Sequence, residues 1–154
     1  MPEITIAVES PRQPGVLELI ESLDRYHIDI YPAEANHLLD IESLCTPQVR
    51  FLVARRGADV LGIGALWLRR DLGFGEVKRM YVRPETRGTG LGRRLLGEVE
   101  RIAREERLPS LMLETGTLNT EALGLYAKHG FVRRGPFGDY EDHPLCVFME
   151  KAIA

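Results

Sequence analysis

The 154-residue sequence predicts an α/β fold, with one domain over 1–154 and a mixed, mostly antiparallel central sheet flanked by helices. The expected order is β-α-α-β-β-β-α-β-α-β-β. Three observations carry this reading. Segments of period two and short continuous apolar runs alternate with segments of helical period. The length suits one core of ordinary size. No internal repeat, low-complexity tract or linker rich in Pro, Gly or Ser divides the chain.

Each element follows from its own pattern. Ile4, Ile6 and Val8 alternate with Thr5, Ala7 and Glu9, which predicts a first strand. Pro14 suits a helix start, and Val16, Leu17, Leu19, Ile20 and Leu23 recur at helical spacing, giving a helix over 14–25. A second, weaker helix is expected over 33–45, with Ala35, Leu38, Leu39 and Leu44 inward. Val49, Phe51 and Val53 alternate, Arg56 to Asp59 turns, and Val60 to Leu68 runs apolar, which reads as a β-hairpin. Arg70 to Gly73 turns again before a strand from Gly75 to Val82. Residues 91–106 form the clearest helix. Leu91, Leu95, Val99, Ile102 and Ala103 make one stripe, with Arg93, Arg94, Glu98, Arg101 and Glu105 outside it. Leu111 to Leu113 reads as a buried strand. A helix capped by Asn119 or Thr120 stops at Gly130. Phe131-Val132 and Leu145 to Met149 close the sheet.

Composition excludes several classes. Hydrophobic residues are 44% and charged residues 28%, the mix of a soluble globular domain. Twenty Lys+Arg against twenty-three Asp+Glu give a net charge of −3 and a pI near 5.8. Nucleic acid is therefore not expected as a main partner. Cys45 and Cys146 lie far apart without CxxC spacing, and His27, His37, His129 and His143 show no HxH or HExxH spacing. No metal site or disulfide framework is expected, and a reducing cytoplasm fits. The segment MPEITIAVES lacks the features of a signal peptide. The longest apolar stretch, Val60 to Leu68, is too short to span a bilayer, so no membrane partner is expected.

The most informative stretch runs from Met80, Tyr81 and Val82 through Arg87-Gly88-Thr89-Gly90-Leu91-Gly92-Arg93. It passes from a strand through a loop into the best helix. The first turn of a helix offers N–H groups without internal partners and the positive end of the dipole. Glycines there let a phosphate approach closely, and Arg87 and Arg93 add charge. This predicts a pyrophosphate cradle. A Rossmann fingerprint does not fit, because Arg93 or Leu95 falls where the last glycine belongs, and no GK[ST] of a P-loop is present.

Arg87-Gly88-Thr89-Gly90-Leu91-Gly92 resembles the [QR]xxGx[GA] signature of the GNAT N-acetyltransferases, in which this loop binds the pyrophosphate of acetyl-CoA. Upstream, Glu76 to Val82 is similar to the family's central strand, whose splayed end receives the pantetheine arm. Downstream, Leu111 to Thr115, Asn119, Ala122, Leu125-Tyr126 and His129-Gly130-Phe131 look like the second half of that site. The resemblance covers about residues 49–150, the expected cofactor-binding half. Residues of about 14–45 match only in element order, as acceptor-covering helices. The ending Pro136-Phe137-Gly138-Asp139-Tyr140 with Pro144 and Val147-Phe148-Met149 resembles a subgroup of small bacterial acetyltransferases.

The resemblance implies acetyl-CoA as the acyl donor and coenzyme A as product. The expected reaction is direct attack by an amine, of a small molecule or an exposed peptide amino group, in a ternary complex. Such an amine has a pKa near 10, so a group must accept a proton. Glu76 is expected as general base, directly or through a water, with Glu114 as second candidate. In a regular strand Glu76, Lys78, Met80 and Val82 share one face, and Val77, Arg79 and Tyr81 the other. The resemblance places Tyr126 near the cofactor sulfur as general acid. It places the main-chain N–H near Val82 on the thioester carbonyl and Asn119 on the pantetheine, where N-capping is the simpler role. Tyr31 and His37, in a polar and aromatic group with Tyr26, His27 and Glu34, are expected to bind the acceptor with Arg79 and Glu114. Arg79 would pair either an acceptor carboxylate or an internal acid. Cys146 beside His143 is not expected as a nucleophile, because the two fall on opposite strand faces. A non-catalytic acyl-CoA-binding regulator and an acetyltransferase acting on charged tRNA are the rival readings. The state of assembly, a homodimer included, is left open.

Overall fold

In the computed structural model, which describes residues 3–35 and 40–154, the strands are β1 (Ile4–Val8), β2 (Val49–Arg56), β3 (Asp59–Arg69), β4 (Phe74–Val82), β5 (Ser110–Gly116), β6 (Val132–Arg134) and β7 (Cys146–Ala152). The helices are α1 (Pro14–Ile30), α2 (Ile41–Leu44), α3 (Leu91–Glu105) and α4 (Thr120–Lys128). The strands form one seven-stranded sheet in the order β1-β2-β3-β4-β5-β7-β6. All neighbours are antiparallel except β4 and β5. This is the mixed, mostly antiparallel α/β arrangement that the alternating periods predict.

Three apolar clusters hold the layers together. The largest joins the sheet to α3 and α4 through Leu91, Leu95, Leu96, Val99, Ile102, Leu111, Leu113 and Tyr126. A second joins the other face to α1 through Val16, Leu19, Ile20, Phe51 and Ile63. A third closes the sheet beyond β4 with Tyr31, Phe74, Phe137 and Phe148, and Tyr140 packs against it. The helical stripe expected on α3 is the stripe that is buried. Leu95 is fully enclosed, so Leu95→Ala is expected to lower stability by about 2–5 kcal/mol. Urea unfolding followed by circular dichroism measures this, and a loss well under 1 kcal/mol would contradict the packing described.

Two elements differ from expectation. Helix α1 continues past residue 25 to Ile30. The Tyr26-His27 pair is compatible with a helix whose end is tied down by the buried ring of Tyr31. The helix expected over 33–45 is instead a 3-10 turn at Ala33–Ala35 and the short α2. Asp40 caps α2, its Oδ1 accepting from the Ser43 N–H at 2.8 Å. His37, Leu38 and Leu39 lie outside the described residues.

The feature that positions the site is a β-bulge in β4. Ala65 pairs with Lys78 and Ile63 with Tyr81, so Arg79 and Met80 together oppose Gly64. Arg79 takes up the extra residue in the left-handed region, with φ +57°. That conformation costs a residue with a Cβ about 1–2 kcal/mol. A bulge bends its strand and adds twist. Parallel pairing of β4 with β5 stops at Val77–Leu113, and beyond it the two strands separate. The bulge also corrects the expected facing. Val77, Met80 and Val82 pack toward the cluster on the α3 side. Glu76, Lys78 and Tyr81 pair with Trp67, Ala65 and Ile63, which belong to the α1 side.

Candidate active site

The separation of β4 from β5 opens a cleft of about 480 Å³. Its walls are the C-terminal half of β4, the end of β5, the start of α3, the start of α4 and the C-terminal half of α1. Four of the expected cofactor residues form one end: Arg87, Gly88, Gly90 and Gly92, with Arg93 beside them. Gly88 and Gly90 have φ +82° and +86°, a region where a side chain brings strain. Gly90 is the N-cap of α3, and no side chain caps that helix end. The first helical bond is the Arg94 N–H to the Gly90 carbonyl at 3.1 Å, so the N–H groups before it lie ahead of the helical ladder. No acidic residue occupies the first turn. An anion would meet N–H groups, the positive dipole end and two guanidinium groups there.

Other members of the loop have bracing roles. The Thr89 side chain is turned to the loop, its hydroxyl donating to the Thr86 carbonyl at 2.6 Å, and Thr89 is not among the cleft-lining residues. Arg87 Nε donates to the Val82 carbonyl at 3.1 Å, with the guanidinium 5.4 Å from the Tyr81 ring. A Cβ on Gly92 would come within 3.2 Å of Leu125, so the absence of a side chain lets α3 and α4 approach. Met80, Tyr81, Val82 and Leu91 all line the cleft.

Tyr126 also lines the cleft and is buried, packed edge-on to Phe131 with ring centroids 5.8 Å apart. Burial, with a contribution from the Glu114 charge, raises its pKa well above that of a free phenol. The group therefore holds its proton. Asn119 stands at the N-cap of α4 but makes no side-chain cap bond. Its Nδ2 donates to Thr115 Oγ1 at 3.1 Å, and its Oδ1 accepts from the Tyr31 hydroxyl at 3.1 Å. The same hydroxyl accepts the Leu118 N–H at 3.0 Å. Tyr31 thus ties the end of α1 to the β5–α4 loop across the cleft, a link that no spacing in the sequence signals. A Cβ on Gly116 would overlap the Tyr31 ring, which keeps that position bare.

The two carboxylates proposed as bases are placed differently. Glu76 is fully buried and is not among the cleft-lining residues. Its Oε1 lies 3.2 Å from Arg69 Nη1, and its Oε2 accepts from the Tyr140 hydroxyl at 2.5 Å and lies 3.4 Å from Lys78 Nζ. A carboxylate enclosed this way has no path to an acceptor amine, so the expectation of a general base at Glu76 is corrected. Its role is to hold Arg69, Lys78 and Tyr140. Tyr140 comes from the long β6–β7 connection, and its part here was not expected. Glu114 does line the cleft. Burial pushes its pKa up to about 7, with Lys78 and the Cys146 thiol pulling it down and Glu76 pushing it up.

Arg79 resolves toward the internal acid, pairing with Asp24 of α1. Tyr26 and His27 line the cleft from the same helix. Burial, then the Arg79 charge, lowers the His27 pKa, which keeps its ring neutral. Burial pushes the Cys146 thiol up to about 12, so it remains protonated. His37 falls outside the described residues. Among the described residues no three His, Cys, Asp or Glu side chains gather to hold a metal ion, and no helix is long and apolar enough to cross a membrane.

A glycine loop at a helix mouth, a central strand split from its parallel neighbour and a buried phenol across the split line one cleft. The sequence profile of the acetyltransferase (GNAT) family matches residues 16–131. The chain belongs to that family and is an acyl-CoA-dependent acetyltransferase. It is 54% identical over 153 residues to the IAA acetyltransferase of Azospirillum brasilense, covering 99% of this chain and 100% of that protein. It is also similar to the crystal structure of a Klebsiella pneumoniae protein assigned to the acyl-CoA N-acyltransferases. That likeness has a TM-score of 0.81 and 34% identity, and covers 97% of each chain. The fold is shared with the PaiA N-acetyltransferase of Thermoplasma acidophilum, solved in complex with coenzyme A. Here the TM-score is 0.75 at 22% identity over 98% of this chain and 99% of that one.

Proposed function

We propose that the enzyme moves the acetyl group of acetyl-CoA to an amine, of a small molecule or an exposed peptide amino group, by direct attack with both substrates bound. The observation that carries this reading is the placement of three groups on one cleft: the bare loop 87–93, Glu114 and Tyr126. The loop offers a diphosphate site that no side chain obstructs. The complex of the Thermoplasma relative with coenzyme A supports the same donor here.

In the proposed chemistry Glu114, ionised near neutral pH, accepts the amine proton as the nitrogen bonds to the thioester carbonyl carbon. The main-chain N–H near Val82 stabilises charge on the carbonyl oxygen. The carbon–sulfur bond breaks, and the Tyr126 hydroxyl delivers a proton to the departing sulfur. The two groups differ in the way their roles demand: the carboxyl titrates at working pH and the phenol stays protonated. Asn119 and Thr115 hold the loop along which the pantetheine runs. A reducing cytoplasm suits an enzyme whose two cysteines are free thiols.

The test is a thiol-release screen with acetyl-CoA against amines, amino acids, peptides and IAA, the acceptor named for the Azospirillum relative. Acceptor-dependent release is expected. Tyr126→Phe is expected to lower kcat by about 10²-fold with little change in acetyl-CoA affinity. Unchanged turnover in that variant would remove Tyr126 from the reaction, and no release with any acceptor would overturn the transferase reading.

A further inference from the structure

We infer that Tyr31 is a positioning residue: its hydroxyl makes the last two turns of α1, the wall beside the acceptor, respond to coenzyme A held on the β5–α4 loop. This rests on the acetyl-transfer reading above, which puts the coenzyme against that loop and the acceptor beside α1.

Helix α1 is anchored unevenly. Its first turns bury Val16, Leu19, Ile20 and Leu23. From Asp24 to Ile30 no residue is buried, and Tyr26 and Ile28 are 44% and 64% exposed. What fastens this stretch is the pairing of Asp24 with Arg79, a partial packing of Ile30 on the third apolar cluster, and Tyr31 at the helix end. A helical segment with so little buried apolar surface opens locally at low cost. Yet this is the segment that brings Tyr26 and His27 to the cleft.

Tyr31 ties the far end of that segment to the opposite wall. Its ring is buried, stacks on His27 with centroids 5.7 Å apart, and fills the space that a Cβ on Gly116 would need. Its hydroxyl accepts from the Leu118 N–H at 3.0 Å and donates to Asn119 Oδ1 at 3.1 Å. Asn119 Nδ2 carries the link on to Thr115 Oγ1 at 3.1 Å, at the end of β5. Thr115, Gly116, Leu118 and Asn119 all line the cleft. The groups that hold the end of α1 are therefore the groups along which the pantetheine is proposed to run. Opening the end of α1 breaks the bonds to Leu118 and Asn119. A ligand that favours the closed loop makes that opening rarer, and the effect reaches α1 through the phenol hydroxyl. The ring supplies packing, and the hydroxyl supplies the coupling.

The test follows hydrogen exchange of the full chain by mass spectrometry, with and without coenzyme A. In the wild-type chain coenzyme A is expected to slow exchange in residues 24–31 by about fivefold or more. Tyr31→Phe keeps the ring and removes the hydroxyl. In it the slowing over 24–31 is expected to fall to about twofold or less, while residues 87–93 stay protected by the coenzyme. Gly116→Ala, which pushes the ring aside, is expected to act in the same way. Calorimetry of coenzyme A reports whether each variant still binds. A role confined to stability would speed exchange with and without coenzyme A alike and leave the slowing in place. Slowing over 24–31 that persists in both variants, or that is absent from the wild-type chain with coenzyme A bound, would overturn the inference and leave acetyl transfer standing. Loss of coenzyme A binding in both variants would overturn it too, by making the hydroxyl part of the coenzyme site itself. Failure of the wild-type chain to bind coenzyme A would instead bring down the reading beneath it.

Discussion

Gly90→Glu is expected to remove measurable binding of acetyl-CoA. Two effects add. Gly90 has φ +86°, so any side chain there strains the mouth of α3. A carboxylate at the N-cap would also place negative charge where the diphosphate belongs. Nothing beyond the Arg93 guanidinium, at 3.9 Å, stands within reach of the new Cβ, so the fold has room for the substitution. The loss of binding should therefore appear in calorimetry of acetyl-CoA, beside a fall in stability of only about 1–2 kcal/mol from the strain. Gly90→Ala, which adds strain without charge, is expected to lie between the two. Affinity retained in Gly90→Glu would place the diphosphate elsewhere.

Glu114→Gln is expected to lower turnover by about 10²–10⁴-fold while acetyl-CoA still binds. The wild-type rate should rise with pH through about 7 as the carboxyl ionises. The same group makes a second prediction of opposite sign. Its folded pKa of about 7 lies above the ordinary carboxyl value, so between roughly pH 4.3 and 7 the folded state keeps a proton that the unfolded chain gives up. Its contribution to stability therefore falls as pH rises through that window and stays low above it. Glu114→Gln should melt higher relative to wild type at pH 8 than at pH 5. A variant that loses activity and gains stability at high pH is the signature of a buried base. A flat wild-type rate profile from pH 6 to 8 would contradict it.

Much of this site was legible in the sequence because its parts are local. Gly88, Gly90 and Gly92 sit within one turn, and the stripe from Leu91 to Ala103 could only be a helix laid on a core. Backbone N–H groups at a helix mouth need no distant partner, so spacing alone was enough. Alternation failed at Arg79, where a single residue in the left-handed region shifts every later side chain by one step. Nothing in the residue type predicts such a bulge, since glycine or asparagine is its usual signal. Glu76 matched by position but is sealed by Arg69, Lys78 and Tyr140, the last of them from a loop far away in the chain. The burial of Glu114 beside Tyr126, Cys146 and Lys78 arises only in three dimensions. The link from Tyr31 to Asn119 joins residues 88 positions apart. Long-range polar pairs of this sort leave no periodic trace.

The claim on which the rest depends is that the main-chain nitrogens of residues 87–93 grip the diphosphate of coenzyme A. A crystal structure of the chain with coenzyme A bound measures this directly. The account predicts diphosphate oxygens within hydrogen-bond distance of N–H groups in that loop, with the pantetheine running between β4 and β5 toward Tyr126. Coenzyme A seated with its diphosphate away from the mouth of α3 would contradict it.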